Sequence, residues 1–266
     1  MKLNFALIAL AAASVAAAGS VGPQGVWMLT DGDNATDAMI QGGSVQTFGQ
    51  AAFAELQYPI AWNSNFLGSG SGAFMTVGRD QNGRGGVYDI NHNVIGNFGN
   101  FTSFTGQHLD GTLDTAAQLT YASNFTTGDV VQYTNAYFDA PSVSIYNAGA
   151  GNLVSITYNA ATGTLFLGGD GTITEITTGG AFVNSFTTPD SWVRSLAYDA
   201  SDNTMWYLSF SGTDIVQVNA AGSEVGRTTV NLGGNYWGGE IAPVPEPATF
   251  VALGLGLAAL LIRRKK

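Results

Sequence analysis

The chain has no cysteine, and its residues 19–243 include no lysine. The first absence rules out a disulfide framework and any cysteine-ligated zinc. The second leaves Arg79, Arg84, Arg194 and Arg227 as the only fixed cations of that stretch, against 14 Asp and four Glu, a net charge of −14. A protein that grips a phosphate backbone needs clustered cations, so nucleic acid is excluded as a partner. Histidine is almost as scarce, with His92 and His108 alone, and no serine stands in a nucleophile-elbow context, so a hydrolase triad has no support. What is present points to a packed β fold. The 15 Phe, 10 Tyr and five Trp supply ample core for a chain of 266 residues and exclude a disordered acidic polymer. The 36 glycines, about twice the usual share, call for many tight turns.

Long apolar runs occur only at the two ends. Met1 and Lys2 precede an apolar stretch over residues 3–13, and Ala16 and Ala18 stand in A-x-A spacing, which reads as a secretory signal peptide over 1–18 cut after Ala18 by signal peptidase. At the other end Pro245, Glu246 and Pro247 lie in a motif at 244–247. An uncharged run at 248–262 follows, and Arg263, Arg264, Lys265 and Lys266 end the chain. Fifteen helical residues span about 22 Å, short of the ~30 Å hydrocarbon core, so the run is a marginal permanent anchor. The terminal cations place that end in the cytoplasm, consistent with export of the intervening domain.

The ordered tail of Pro245-Glu246-Pro247, short transmembrane helix and basic end resembles the PEP-CTERM sorting signal of Gram-negative bacteria. The resemblance covers residues 244–266 and implies processing by an exosortase, in bacteria that build exopolysaccharide. The precursor would sit in the inner membrane, and the body would be delivered to the cell envelope, surface or extracellular matrix. Read without the family, the same residues form a plain tail anchor with a rigid proline spacer.

Residues 19–243 repeat about every 42 residues. Segments of β type begin at Val45, Val87, Val130, Ile173 and Ile215, each apolar at its first and fourth positions. Two copies align further: Tyr158, Asn159, Ala160 with Thr164, Leu165, Phe166, against Tyr198, Asp199, Ala200 with Thr204, Met205, Trp206. A period of 40–45 residues carrying four short strands is one β-propeller blade, so the expected fold is all-β. The first unit lacks an inner strand before Val26, and a spare segment, 236–242, remains after the fifth. That segment is expected to close the ring of five four-stranded blades, with a six-bladed ring or an open β-sandwich as alternatives. The fourth and fifth units resemble the propeller repeats of the NHL and gluconolactonase-like groups, which carries no activity with it.

Few residues suggest chemistry. His108 and Asp110 lie near a predicted inner strand, but Asp110, like Asn63, Asn159 and Asp199, is expected to open the turn that follows. Asp31, Asp33 and Asp37 are oxygen ligands at close spacing that suit Ca²⁺, the one cofactor the sequence suggests, yet they lack the EF-hand alternation and its terminal Glu and read better as a solvated loop. Trp27, Trp62, Trp192, Trp206 and Trp237 lie in predicted strands and pack between blades, though any of them suits stacking on a sugar ring. The Gly-Ser run at 68–72 has no following Lys and is a hairpin loop rather than a phosphate cradle. These features favour an exported, noncatalytic binding or structural propeller, whose partners beyond signal peptidase and exosortase would be exopolysaccharide or a surface protein. The alternative is a secreted, metal-dependent propeller hydrolase, lactonase-like or glycan-cleaving. The turns at 200–203 are expected to face the membrane before processing, with those at 209–213 and the funnel mouth facing outward.

Overall fold

The computed structural model describes residues 22–243 apart from 42–43, 52–55, 67–70, 79–83, 98–105, 137 and 139–141. The signal peptide at 1–18 and the motif, helix and basic tail at 244–266 lie outside the described residues, as does most of the Gly-Ser run at 68–72. Among the described residues no helix is long and apolar enough to cross a membrane.

Among the described residues, eighteen strands form four antiparallel sheets. The first joins β18 (Gly238–Ala242) to β1 (Val26–Asp31), β2 (Thr36–Gln41) and β3 (Ser44–Gly49). The second runs β4 (Gln57–Asn63), β5 (Ala73–Gly78), β6 (Gly86–Tyr88), β7 (Val94–Asn97), and the third β8 (His108–Asp114), β9 (Leu119–Asn124), β10 (Asp129–Tyr133), β11 (Ser142–Asn147). The last is six-stranded, with β12 (Leu153–Asn159), β13 (Thr164–Thr177), β14 (Phe182–Asp199), β15 (Thr204–Ser209), β16 (Asp214–Asn219) and β17 (Glu224–Thr229). Burial follows position in the sheet. The innermost β8 is buried throughout, whereas the rim strands β3, β7, β11 and β17 have exposed or half-exposed side chains along their whole length.

The expected closure is present: β18 pairs antiparallel with β1, Val26 opposite Ala242 and Trp27 opposite Ile241. The closing strand must approach its neighbour closely, and a Cβ on Gly238 would collide with the Tyr58 carbonyl oxygen. The expectation of five separate blades is corrected, because there are four sheets and the fourth and fifth repeats share one of them. The physical reason is chain continuity. Residues 182–187 of β14 pair with β13, residues 193–199 pair with β15, and no turn separates the two stretches. Within the same sheet β13 doubles back at Gly171 (φ +61°), since Thr164 Oγ1 donates to Glu175 Oε1 at 2.7 Å, eleven residues further on. One repeat segment was also misplaced by a strand. The segments at Val87 and Val130 fall in the third strands of their sheets and Ile215 in β16, the third strand counted from the inner stretch 193–199, but Val45 lies in β3, the fourth strand of its sheet.

Five inner stretches surround the axis in the order β18, β4, β8, β12 and residues 193–199 of β14, which packs back on β18. Hydroxyl groups link neighbours where each inner strand presents backbone to the next. Ser155 Oγ donates to the Val193 carbonyl at 2.7 Å, Ser195 Oγ to the Tyr236 carbonyl at 3.2 Å, and Thr157 Oγ1 accepts from the Tyr198 N–H at 2.9 Å. Where the inner strands begin, Tyr58, Leu109 and Val154 meet across the axis with Phe125, Trp192 and Trp237 and plug it.

Candidate functional site

Where the inner strands end, the axis opens into a cavity of 420 Å³. Trp62 from β4, Thr112 to Asp114 from β8, Tyr158 from β12, Tyr198 from β14 and Glu240 and Ile241 from β18 line it. The volume lies within the roughly 300–1,000 Å³ range of small-molecule sites. Trp62 is half-buried, whereas Trp27 and Trp206 are packed in the core with ring centroids 6.5 Å apart.

The carboxyl groups here are held by hydrogen bonds. Glu240, 7% exposed, accepts from Thr112 Oγ1 at 2.8 Å on one oxygen and from the Ile241 N–H at 3.2 Å on the other. Burial pushes its pKa up to about 8, against those two hydrogen bonds. Asp110, fully buried, accepts from three backbone amides: Gly111 at 2.9 Å, Gly239 at 3.0 Å and Ile156 at 3.1 Å. Burial holds it well above the usual carboxylate range, and the neighbouring Glu240 adds to the shift. Asp110 therefore ties β8 to β12 and β18 at the centre of the ring. Asp114 Oδ1 accepts from the amides of Ala116 and Ala117, each at 3.0 Å, and Tyr158 hydrogen-bonds the same carboxyl group.

This geometry corrects the reading of Asp110 as a turn opener. Asn63, Asn159 and Asp199 do accept from the amide two residues on, at 3.0, 2.9 and 2.9 Å, but the equivalent on β8 is Asp114. His108 does not complete a catalytic pair. It is 1% exposed, lies 3.5 Å from Tyr133 Oη, and burial drives its pKa down to about 3, so it is neutral.

The structure does not gather Asp31, Asp33 and Asp37 into one site. Asp31 takes the Asn34 N–H at 3.2 Å and the Asn235 N–H at 2.8 Å, so it caps a turn and holds the approach to β18. Asp37 lies 2.7 Å from His92 Nε2 and accepts from Gln50 Nε2 at 2.9 Å. The His92 ring is stacked between Phe48 and Tyr88 at 4.4 and 4.6 Å, and burial raises the Asp37 pKa. The Asp33 N–H donates to Tyr58 Oη at 3.1 Å. Among the described residues no group of three or more His, Cys, Asp or Glu side chains is placed to hold a metal ion.

The expected outward mouth is corrected as well. The cavity lies on the side from which the tail departs, because Ile241 lines it and β18 ends at Ala242. At the opposite end, beside the turn at 209–213, Arg194 is 1% exposed and sits 4.9 Å from the Trp237 ring centroid and 5.6 Å from that of Phe210. Its Nη2 donates to the Ser209 carbonyl at 3.1 Å, and burial lowers its pKa to about 10. Sequence reasoning missed Glu240, although a lone acid in the run Gly-Gly-Glu-Ile-Ala is the signal of a buried charge in a strand.

The closed ring of inner strands with its axial cavity defines a protein of the β-propeller class. Known structures agree at the level of fold. The chain is similar to one in the crystal structure of a nidogen/laminin complex, with a TM-score of 0.55, 9% identity, and coverage of 82% of this chain and 98% of that one. It is also similar to a Bacteroides thetaiotaomicron protein of unknown function, with a TM-score of 0.53, 14% identity, and coverage of 83% of this chain and 62% of that one. No curated protein matches in sequence. Residues 243–265 match the PEP-CTERM protein-sorting motif, which implies export through a membrane-anchored precursor and processing by an exosortase.

Proposed function

We propose that the protein is a noncatalytic binding module of the cell envelope or extracellular matrix, released to its final place when exosortase removes the tail. The observation that carries this reading is the axial cavity, beside which Glu240 and Asp110 accept hydrogen bonds from neighbouring inner strands. A cavity of this size with aromatic walls suits retention of a ligand, such as a component of exopolysaccharide or of a surface protein. The alternative, a metal-dependent hydrolase, has no donor set among the described residues.

The position of the cavity adds a consequence. Five residues, 243–247, extend about 15 Å, so in the precursor the cavity face is held close to the membrane and becomes accessible on processing. Glu246→Ala should trap the precursor while leaving the propeller folded. In spheroplasts carrying that variant, a cysteine replacing Ser211 should react faster with an impermeant reagent than one replacing Ser201, which lies in a turn on the cavity face. Equal or reversed labelling would overturn the orientation, and normal release of the variant would reduce 245–247 to a spacer.

A further inference from the structure

The cavity wall combines two kinds of group that rarely meet by accident. Trp62, Tyr158 and Tyr198 supply three aromatic rings from three inner strands, and Asp114 and Glu240 supply two carboxyl groups from two others. None of its lining residues is Lys, Arg or His. Glu240 is more than nine-tenths buried, and its two oxygens each accept one hydrogen bond, which leaves acceptor capacity on both. Asp110 is buried beside it on β8. An anion would be repelled by this set. A neutral sugar would find rings to stack on but would gain no charge attraction from the carboxyl groups. A cation answers both, because ring faces and carboxylates each attract it.

We propose that the cavity binds a small organic cation, with an alkylammonium head seated among Trp62, Tyr158 and Tyr198 and against Glu240. This deepens the binding reading above and rests on it. The head group belongs either to a free ammonium compound or to an amino sugar within a glycan, and the chemistry recognised is the same. The titratable groups around Glu240 are Asp110 and Asp114 from β8, Tyr158 from β12 and Tyr198 from β14. Burial raises the pKa of Glu240 itself to about 8. A cation favours its ionised form, so binding at pH 7 should release protons.

The test uses the full chain purified in detergent and calorimetric titration at pH 7. Choline is compared with 3,3-dimethylbutan-1-ol, its uncharged isostere, and glucosamine with glucose. The charged member of at least one pair should bind about tenfold or more tightly than its neutral partner, with a heat that varies with the ionisation enthalpy of the buffer. Choline binding alone assigns a free ammonium compound, and glucosamine binding alone assigns an amino sugar. Glu240→Gln should weaken the charged ligand at least about tenfold, and Trp62→Leu, on the cavity rim, decides the matter if the first variant does not fold. Equal binding of charged and neutral members would overturn the cation proposal while leaving a binding cavity. Undiminished binding in a folded variant, or no binding of any of the four probes, would overturn it too. The orientation experiment above tests the broader reading independently.

Discussion

The two ends of the propeller axis are built from the same inner strands and have opposite characters. Where the strands begin, Tyr58, Leu109 and Val154 fill the axis with Trp192 and Trp237, and the cation Arg194 is buried under aromatic rings with the buried Asp31 nearby. Where they end, the axis is open, its charges are carboxyl groups, and the aromatic rings stand around a space. Residues one step apart on an inner strand serve different purposes. On β8 Leu109 joins the plug, Asp110 binds the amides of two neighbouring strands, and Thr112 reaches the cavity. The difference teaches that the plug serves packing and the carboxylate end serves connection between blades, with a ligand space left above it. The buried carboxyl groups at the second end, Asp110 and Glu240, each accept hydrogen bonds, which is the condition under which they fix one arrangement instead of destabilising it.

The severest way to break the comparison is to remove the element that both ends share. Deleting 236–242 strips β1 of its partner, Asp110 of the Gly239 amide, Thr112 of Glu240 and Ser195 of the Tyr236 carbonyl. It also bares an unpaired edge along β1. Loss of a cooperative thermal transition is expected, followed by near-ultraviolet circular dichroism. Deleting 244–266 should leave that transition where it was, and equal behaviour of the two truncations would contradict closure by β18.

Closure was legible because it is a matter of counting: one inner strand too few at the start and one segment too many at the end. The turns were legible for a similar reason. Asn159 and Asp199 open turns of the same length, and the left-handed position before the next strand is filled by Gly163 (φ +69°) and Asn203 (φ 58°), residues that tolerate it. What misled was reliance on short apolar spacing. Val45 and Phe48 share the pattern of Val130 and Tyr133, but the first pair is only half-buried in a rim strand and the second buried in a third strand. Sheet number was illegible because it depends on whether residues 188–191 break the strand, and they do not, although they carry Pro189 and have no partner in the ladder. The cavity was illegible for a different reason. Trp62, Asp114, Tyr158, Tyr198 and Glu240 come from five separate repeats, and only the ring brings them together. The sorting tail, by contrast, is a linear address and needs no fold to be read.

A smaller perturbation separates the ends. Tyr58 is 1% exposed at the centre of the plug, and Tyr58→Ala leaves a cavity that five surrounding strands cannot collapse to fill. A loss of about 4 kcal/mol is expected from chemical denaturation. Ligand-binding at the opposite end should be unaffected in the folded fraction. A loss below about 1 kcal/mol would mean that the axis is loosely packed where it looks filled.

The gentlest test changes only pH and addresses the carboxylate end. Glu240, with an ordinary value of 4.5, is raised to about 8 in the fold, and Asp110 is raised well above 3.8, each chiefly by burial. A carboxyl group whose folded pKa is raised holds its proton in the native state over a range where the unfolded chain has already lost it. The native state then binds more protons, so stability falls as pH rises from the unfolded value to the folded one and levels off above it. Stability should therefore be greatest near pH 5 and decline by on the order of 3 kcal/mol toward pH 8. Glu240→Gln keeps the shape and removes the titrating proton, so it should remove the Glu240 share of that slope and leave the share that comes from Asp110. The plug contains no such group, and Tyr58→Ala should lower the whole curve without changing its tilt. A pH profile with the same slope in the wild type and in Glu240→Gln would show that Glu240 is ionised in the fold at neutral pH, and would remove the distinction drawn between the two ends.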